Sequence, residues 1–161
     1  MGLETFDGNE ATRWGEENEP VALAAYEHWQ QTKVDLCGFV PHQEHDWLGG
    51  SPDFMVGLEG MGEIKCPMSR EIAIEIPSYY MAQAQGLMEI ANRDWCDFVY
   101  WTPEQMRIRR IARSPEYWDW LRVRLADFSC WVVAQVEPPR EKKQPATEFD
   151  IKIINDTLIK F

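Results

Sequence analysis

Two carboxylates and a lysine, Asp53, Glu63 and Lys65, stand at a spacing that suits metal-assisted cleavage of phosphodiesters. They lie in Ser51-Pro52-Asp53 and Glu63-Ile64-Lys65. The gap between the carboxylates is long enough for one strand to run out, turn and return. On a strand, Glu63 and Lys65 project to one face while Ile64 points the other way, into an apolar layer. Hard carboxylate oxygens suit Mg²⁺ or Mn²⁺. A neighbouring ammonium can orient or help deprotonate an attacking water, or stabilise developing charge.

Other residues could join this chemistry. If the first helix is continuous, Glu19 shares a face with Ala22, Leu23 and Tyr26. A carboxylate there is costly unless paired or metal-bound; the alternative is an N-cap before Pro20. Gln83 lies on one helix face with Tyr80 and Leu87, in Tyr79-Tyr80-Met81-Ala82-Gln83-Ala84-Gln85. Near a metal site its amide could hold the water or orient the lysine; otherwise it is a surface glutamine on an Ala-rich helix. Arg107 and Arg109, followed by Arg110 and Arg113, could grip phosphates or guard a solvated edge strand. His42 and His45 have nothing nearby to complete a zinc site. The four cysteines, Cys37, Cys66, Cys96 and Cys130, form no C-x-x-C pair and are expected to be buried and reduced. Most of the eight tryptophans are expected in the core rather than as base-stacking plates.

The elements that must position these residues follow from periodicity. A helical pattern covers Ala11 to Gln31, with Pro20 either at its first turn or at a kink. Strand-like runs follow at Val34–Val40, Pro52–Gly57 and Gly62–Cys66, punctuated by Gly49-Gly50 and Glu59-Gly60. Pro77-Ser78 opens a helix to about Asn92. Strands at Cys96–Trp101 and Gln105–Ala112 flank a turn at Thr102-Pro103-Glu104. A helix from Pro115 to about Val136 shows the stripe Trp118, Leu121, Leu125, Phe128 and Val132. That order reads as an α/β (α+β) fold with a mixed central sheet flanked by helices. Residues 1–137 would form this domain. Residues 138–161 would add a linker with Arg140, Lys142 and Lys143, then a hairpin turning at Asn155-Asp156 or an edge strand.

At 161 residues, 45% hydrophobic and 12% aromatic, the chain suits one globular domain. It has no apolar run long enough to span a membrane as a helix, and no secretory signal pattern in Met1 to Thr12. An intracellular setting is expected. The net charge of −11 is unevenly spread: residues 1–100 hold 5 Lys+Arg against 18 Asp+Glu, and residues 101–161 hold 11 against 9. Divalent cations would offset part of the acidity around the site, and contacts to DNA must come mainly from the second half.

Four ordered blocks resemble the phage lambda-type alkaline exonucleases, or YqaJ-like viral recombinases, of the PD-(D/E)XK nuclease superfamily. The blocks are Arg13-Trp14-Gly15 with Glu19, Ala22 and Tyr26-Glu27; Gly49-Gly50-Ser51-Pro52-Asp53; Glu63-Ile64-Lys65-Cys66-Pro67; and Tyr80-Met81-Ala82-Gln83-Ala84-Gln85. The resemblance implies a restriction-endonuclease-like core and a Mg²⁺-dependent deoxyribonuclease. Asp53, Glu63 and the Ile64 carbonyl would hold the metal. Glu19 would act at a second metal or through an intervening water. Lys65 would position or activate the nucleophilic water, and Gln83 would complete the polar network. The resemblance further implies 5′-to-3′ digestion of one strand of duplex DNA in recombination and repair, a single-strand annealing protein as partner, and a ring-shaped homo-oligomer. Two departures stand out. Phe54 replaces the glycine common after Ser-Pro-Asp and is expected to narrow the approach to the metal. Only 12 residues precede Arg13, without the arginine that binds a terminal 5′ phosphate in relatives. The alternatives are a degenerate nuclease fold acting as a DNA-binding or assembly module, and an endonuclease or RNA-directed nuclease.

Overall fold

A computed structural model describes residues 9–139 and 149–161. The linker cations Arg140, Lys142 and Lys143, and the first eight residues, lie outside the described residues.

Helix α1 runs over Glu10–Gln30. Asn9 caps it, its side chain accepting the Thr12 N–H at 3.0 Å, and Gln31 ends it in the left-handed conformation. Pro20 therefore sits inside the helix, where it removes one N–H from the ladder without ending it. Glu19 is not a cap. Its face is set by Ala22 and Tyr26, both fully buried below it.

A five-stranded sheet lies behind α1. Its order is β3-β4-β5-β6-β7, with β3 Phe54–Val56, β4 Gly60–Lys65, β5 Trp95–Trp101, β6 Gln105–Ala112 and β7 Ile153–Lys160. All neighbours are antiparallel except β4 and β5. The parallel pair needs a crossover, which helix α2, Ser78–Ile90, supplies. Helix α3, Pro115–Ala134, packs beside α2. Two apolar layers separate by strand alternation. Ile64, Val99, Met106 and Ile108 pack with Ala22 and Tyr26 of α1. Met61, Cys96, Phe98 and Ile111 pack with Ala84, Leu87 and Met88 of α2. A two-stranded ribbon, β1 Val40–Pro41 and β2 Gly49–Gly50, leads into the segment carrying Asp53. The mixed sheet flanked by helices is the expected fold.

Several local expectations fail. Val34–Val40 is not a strand: β1 starts at Val40, and Asp35 makes only one bridge, to Met55. With β3 only three residues long, it offers little edge to pair against. Asn155-Asp156 does not turn the chain; both lie within β7, which forms the edge strand of the alternative reading rather than a hairpin. Strand β6 is interior rather than an edge, because β7 covers it. The α3 stripe is covered only at its start. Leu121 is buried, whereas Phe128 is 53% and Val132 59% exposed. Among the tryptophans, Trp101 is buried, while Trp29 and Trp47 are exposed. Of the cysteines Cys96 is buried and Cys130 exposed, all four being free thiols.

Candidate active site

Strand β4 puts Glu63 and Lys65 on the α2 side of the sheet and Ile64 in the α1-side core. Glu63 is only 2% exposed. Its Oε1 accepts from Lys65 Nζ and from Gln83 Nε2, both at 2.6 Å. Its Oε2, equally buried, has no partner. Asp53 enters from the segment before β3, and its Oδ2 accepts the Ile64 backbone N–H at 2.6 Å. That bond fixes Asp53 against the strand that carries Glu63. Lys65 Nζ also stands 4.8 Å from the centre of the Tyr80 ring. Glu19 lines the same cleft as Lys65 from α1, coupled to it by charge. The structure thus joins Glu63, Lys65 and Gln83 by hydrogen bonds, ties Asp53 to the same strand through the Ile64 N–H, and places Glu19 in the cleft that Lys65 lines.

The electrostatics follow from burial of several acids close together. Burial, then the Asp53 charge, pushes the Glu63 carboxyl up to about 7 against the opposing pull of Lys65. Burial raises Asp53 despite its bond from Ile64. Burial and then Asp53 raise Glu19. For Lys65, burial works to lower the pKa, but Glu63 and Asp53 carry it above the ordinary value.

Among the described residues, no group of three or more His, Cys, Asp and Glu side chains converges as a ready-made metal cage. The residues present still fit a hard divalent cation. Two carboxylates both raised by burial, Glu63 further by the Asp53 charge, with an orphaned buried oxygen and an adjacent strand carbonyl at Ile64, are the donor set such ions take, with solvent or substrate filling the remaining positions.

The other candidates have structural partners. Arg107 and Arg109 both bond Asp156 of β7, and Arg109 also donates to the Ile74 carbonyl. Arg110 grips the buried Asp97 through two bonds of 2.8 Å. Arg113 pairs with Asp94 and Glu89. These arginines are engaged in ion pairs that help hold the sheet together. Gln85 joins α2 to the start of α3, donating to the Ala112 carbonyl and accepting the Ser114 N–H. His42 Nδ1 accepts the N–H groups of Glu44 and His45, and its ring stacks on Trp118. Phe54 does not narrow the approach to Asp53. Its fully buried ring packs against Gly62, where any Cβ would collide, and lies 4.7 Å from Tyr26.

Sequence reasoning missed two features. Tyr79, Tyr80 and Tyr100 form an aromatic wall of the cleft; Tyr80's helical spacing from Gln83 was the available signal. The second is a buried link in which Tyr26 donates to Asp97 at 2.6 Å, joining α1 to β5. Asp97 reads as one more acid in an acidic stretch, so nothing local singles it out.

The mixed sheet between helices thus gathers Asp53, Glu63 and Lys65 at one strand end. Residues 1–94 match the YqaJ-like viral recombinase domain, and the chain belongs to that family. Among solved structures it is similar to the alkaline exonuclease LHK-Exo from Laribacter hongkongensis. The identity is 30%, over 81% of this chain and 73% of that one, with a TM-score of 0.72. The complex of LHK-Exo with dAMP gives a TM-score of 0.75 at the same identity, covering 81% of this chain and 72% of that one. A phage related exonuclease from Haemophilus somnus 129PT shares the fold at 17% identity, with a TM-score of 0.65 over 84% and 77% of the two chains. Nothing among curated proteins matches the chain. No helix among the described residues is long and apolar enough to cross a membrane.

Proposed function

We propose that the protein is a Mg²⁺- or Mn²⁺-dependent deoxyribonuclease that digests duplex DNA from the 5′ end. Glu63 carries the reading. It is a buried carboxylate with one oxygen bonded to Lys65 and Gln83 and the other left without a partner beside Asp53. A group so costly to bury is retained for a ligand that rewards its charge. Asp53, Glu63 and the Ile64 carbonyl would hold the ion, with Glu19 at a second ion or acting through water. When bound, a divalent ion polarises the phosphate and makes water a stronger nucleophile at neutral pH.

The chain's own groups do the rest. Burial works to lower the Lys65 pKa while Glu63 and Asp53 raise it, and its amino group is set to position the water or to help activate it. Gln83 fixes the rotation of the Glu63 carboxylate by donating to Oε1. The water oxygen bonds phosphorus as one bridging P–O bond breaks; the water's proton passes to solvent, the leaving oxygen takes one from solvent, and the ammonium of Lys65 offsets the charge gathering on the phosphoryl oxygens. LHK-Exo, the similar alkaline exonuclease, has been solved with dAMP, which supports a deoxynucleotide substrate here. On this reading the protein acts inside the cell in phage or viral recombination and repair, as a ring of copies beside a single-strand annealing protein.

The test is linear, 5′-phosphorylated duplex DNA with Mg²⁺, incubated with wild type and Lys65→Ala. Wild type should shorten one strand from each 5′ end, and Lys65→Ala should be at least ~100-fold slower. Equal rates, or no cleavage by wild type across metals and pH, sink the proposal. Cleavage of circular duplex would make the enzyme an endonuclease. Asp53→Asn should abolish Mn²⁺ binding in calorimetry; unchanged binding removes Asp53 from the ligand set.

A further inference from the structure

A second groove opens beside the catalytic cleft, and Met68 lines both. Its walls carry Trp14 and Arg13 of α1 and Arg70 from the turn after β4. The Arg70 guanidinium lies 5.8 Å from the centre of the Trp14 indole. Arg70 is held there by its backbone. Its φ is +59°, and its N–H donates to the Pro67 carbonyl at 3.0 Å, closing a turn five positions beyond Lys65. Trp14 stands five positions before Glu19 on the same helix. The two elements that carry acidic and basic groups of the cleft therefore also carry this pair.

The distribution of cations sharpens the point. Arg107, Arg109, Arg110, Arg113 and Arg122 are all held by carboxylates. Arg13, like Arg93 and Arg124, makes no ion pair among the described residues, and Arg70, which lines the groove with Arg13, has one exposed contact, with Glu104 at 3.4 Å, of a kind worth little in water. Arg13 and Arg70 can turn to a phosphate at small cost. A flat indole with guanidinium groups beside it is the equipment for one unpaired nucleotide, stacked by its base and gripped by its phosphate. Glu10 and Glu17 line the same groove and oppose a polyanion, so binding must depend on the arginines.

We infer that Trp14, Arg70 and Arg13 form a subsite for a single DNA strand running from the catalytic cleft past Met68. The inference rests on the nuclease reading for its substrate class. It accounts for how so acidic a chain holds a strand at its cleft: locally, by two arginines and a ring.

Binding without cleavage tests it. In EDTA, anisotropy of a labelled single-stranded oligonucleotide of about 12 nucleotides reports affinity at several salt concentrations. Arg70→Ala should weaken binding about tenfold and reduce the slope of log Kd against log salt by about 0.7. Trp14→Ala should weaken it about tenfold with the slope unchanged. Arg70→Lys should keep the slope, and Trp14→Phe should bind within about twofold of wild type, since each keeps one half of the device. Wild-type affinity in either alanine variant, or an unchanged slope in Arg70→Ala, overturns the subsite. Wild type that cleaves DNA while these variants bind and cleave equally well sinks the subsite alone. Wild type that shows the binding shifts but cleaves nothing sinks the nuclease reading and leaves the subsite standing.

Discussion

Glu63→Gln should make the metal-free protein more stable while abolishing its activity. In the wild type the Glu63 carboxyl is 2% exposed, and burial with the Asp53 charge lifts it from 4.5 to about 7. That rise corresponds to about 3 kcal/mol of penalty once the group is ionised in the folded state. That figure is already net of the attraction to Lys65 at 2.6 Å. A gain of about 3 kcal/mol is therefore expected near pH 8. The sign follows from the raised pKa. Glu63's contribution is fully favourable below pH 4.5 and is lost as pH rises through about 7. The advantage of Glu63→Gln should therefore fade by about pH 5. Urea unfolding in EDTA at pH 5, 6, 7 and 8 measures it, read from midpoints at constant m. Adding Mg²⁺ at pH 8 should raise the wild-type midpoint and leave the variant unmoved. A variant less stable than wild type at pH 8, or an advantage that grows toward acid, would refute the reasoning that this carboxylate is held under electrostatic stress for a cation.

Two further outcomes test the scaffold. Tyr26→Phe removes the buried hydroxyl that donates to Asp97 at 2.6 Å; about 2 kcal/mol of stability should go, because a charged acceptor loses a partner, and a loss under about 0.5 kcal/mol in urea would contradict it. Asp156 is held down at about 2 by its bonds from Arg107, with Arg109 adding to them, so its contribution is present above about pH 4 and lost as pH falls through 2. Since its side chain is 31% exposed, Asp156→Asn should cost only about 1 kcal/mol at pH 7, and the cost should shrink below pH 3 in thermal melts.

How much of this was legible depended on how local each constraint is. Glu63 and Lys65 sharing a face, with Ile64 opposite, follows from strand alternation alone and is what the sheet shows. Gln83 was ambiguous by itself, since a glutamine on an Ala-rich helix is equally at home in solvent. Only the crossover that brings α2 over β4 sets its amide on Glu63. The misread turn at Asn155-Asp156 has the same origin. Asn-Asp favours turns locally, but Asp156 is claimed by arginines 47 and 49 positions earlier, and no local rule sees that. The α3 stripe fails differently. Periodicity shows which face is apolar but not how far the covering layer extends, so Leu121 is buried and Val132 is 59% exposed on the same stripe. Phe54 looked like an intrusion beside Asp53 because the reading considered its neighbour in sequence. Its true neighbour is Gly62 across the hairpin, whose missing side chain makes the room.

The bond from the Ile64 amide to Asp53 has a consequence for how the protein is made. Asp53 and Glu63 sit on one hairpin, β3 and β4, whose ends meet after a short loop. Closing so short a loop costs little chain entropy and is fast. Glu19 and Gln83 must instead arrive on separate helices after longer closures. Of the proposed machinery, the Asp53–Glu63 pair is thus the earliest to be assembled during folding. A cation captured there would act as a nucleus, pinning the hairpin before α1 and α2 dock. Magnesium in the refolding buffer should then speed folding as well as slow unfolding.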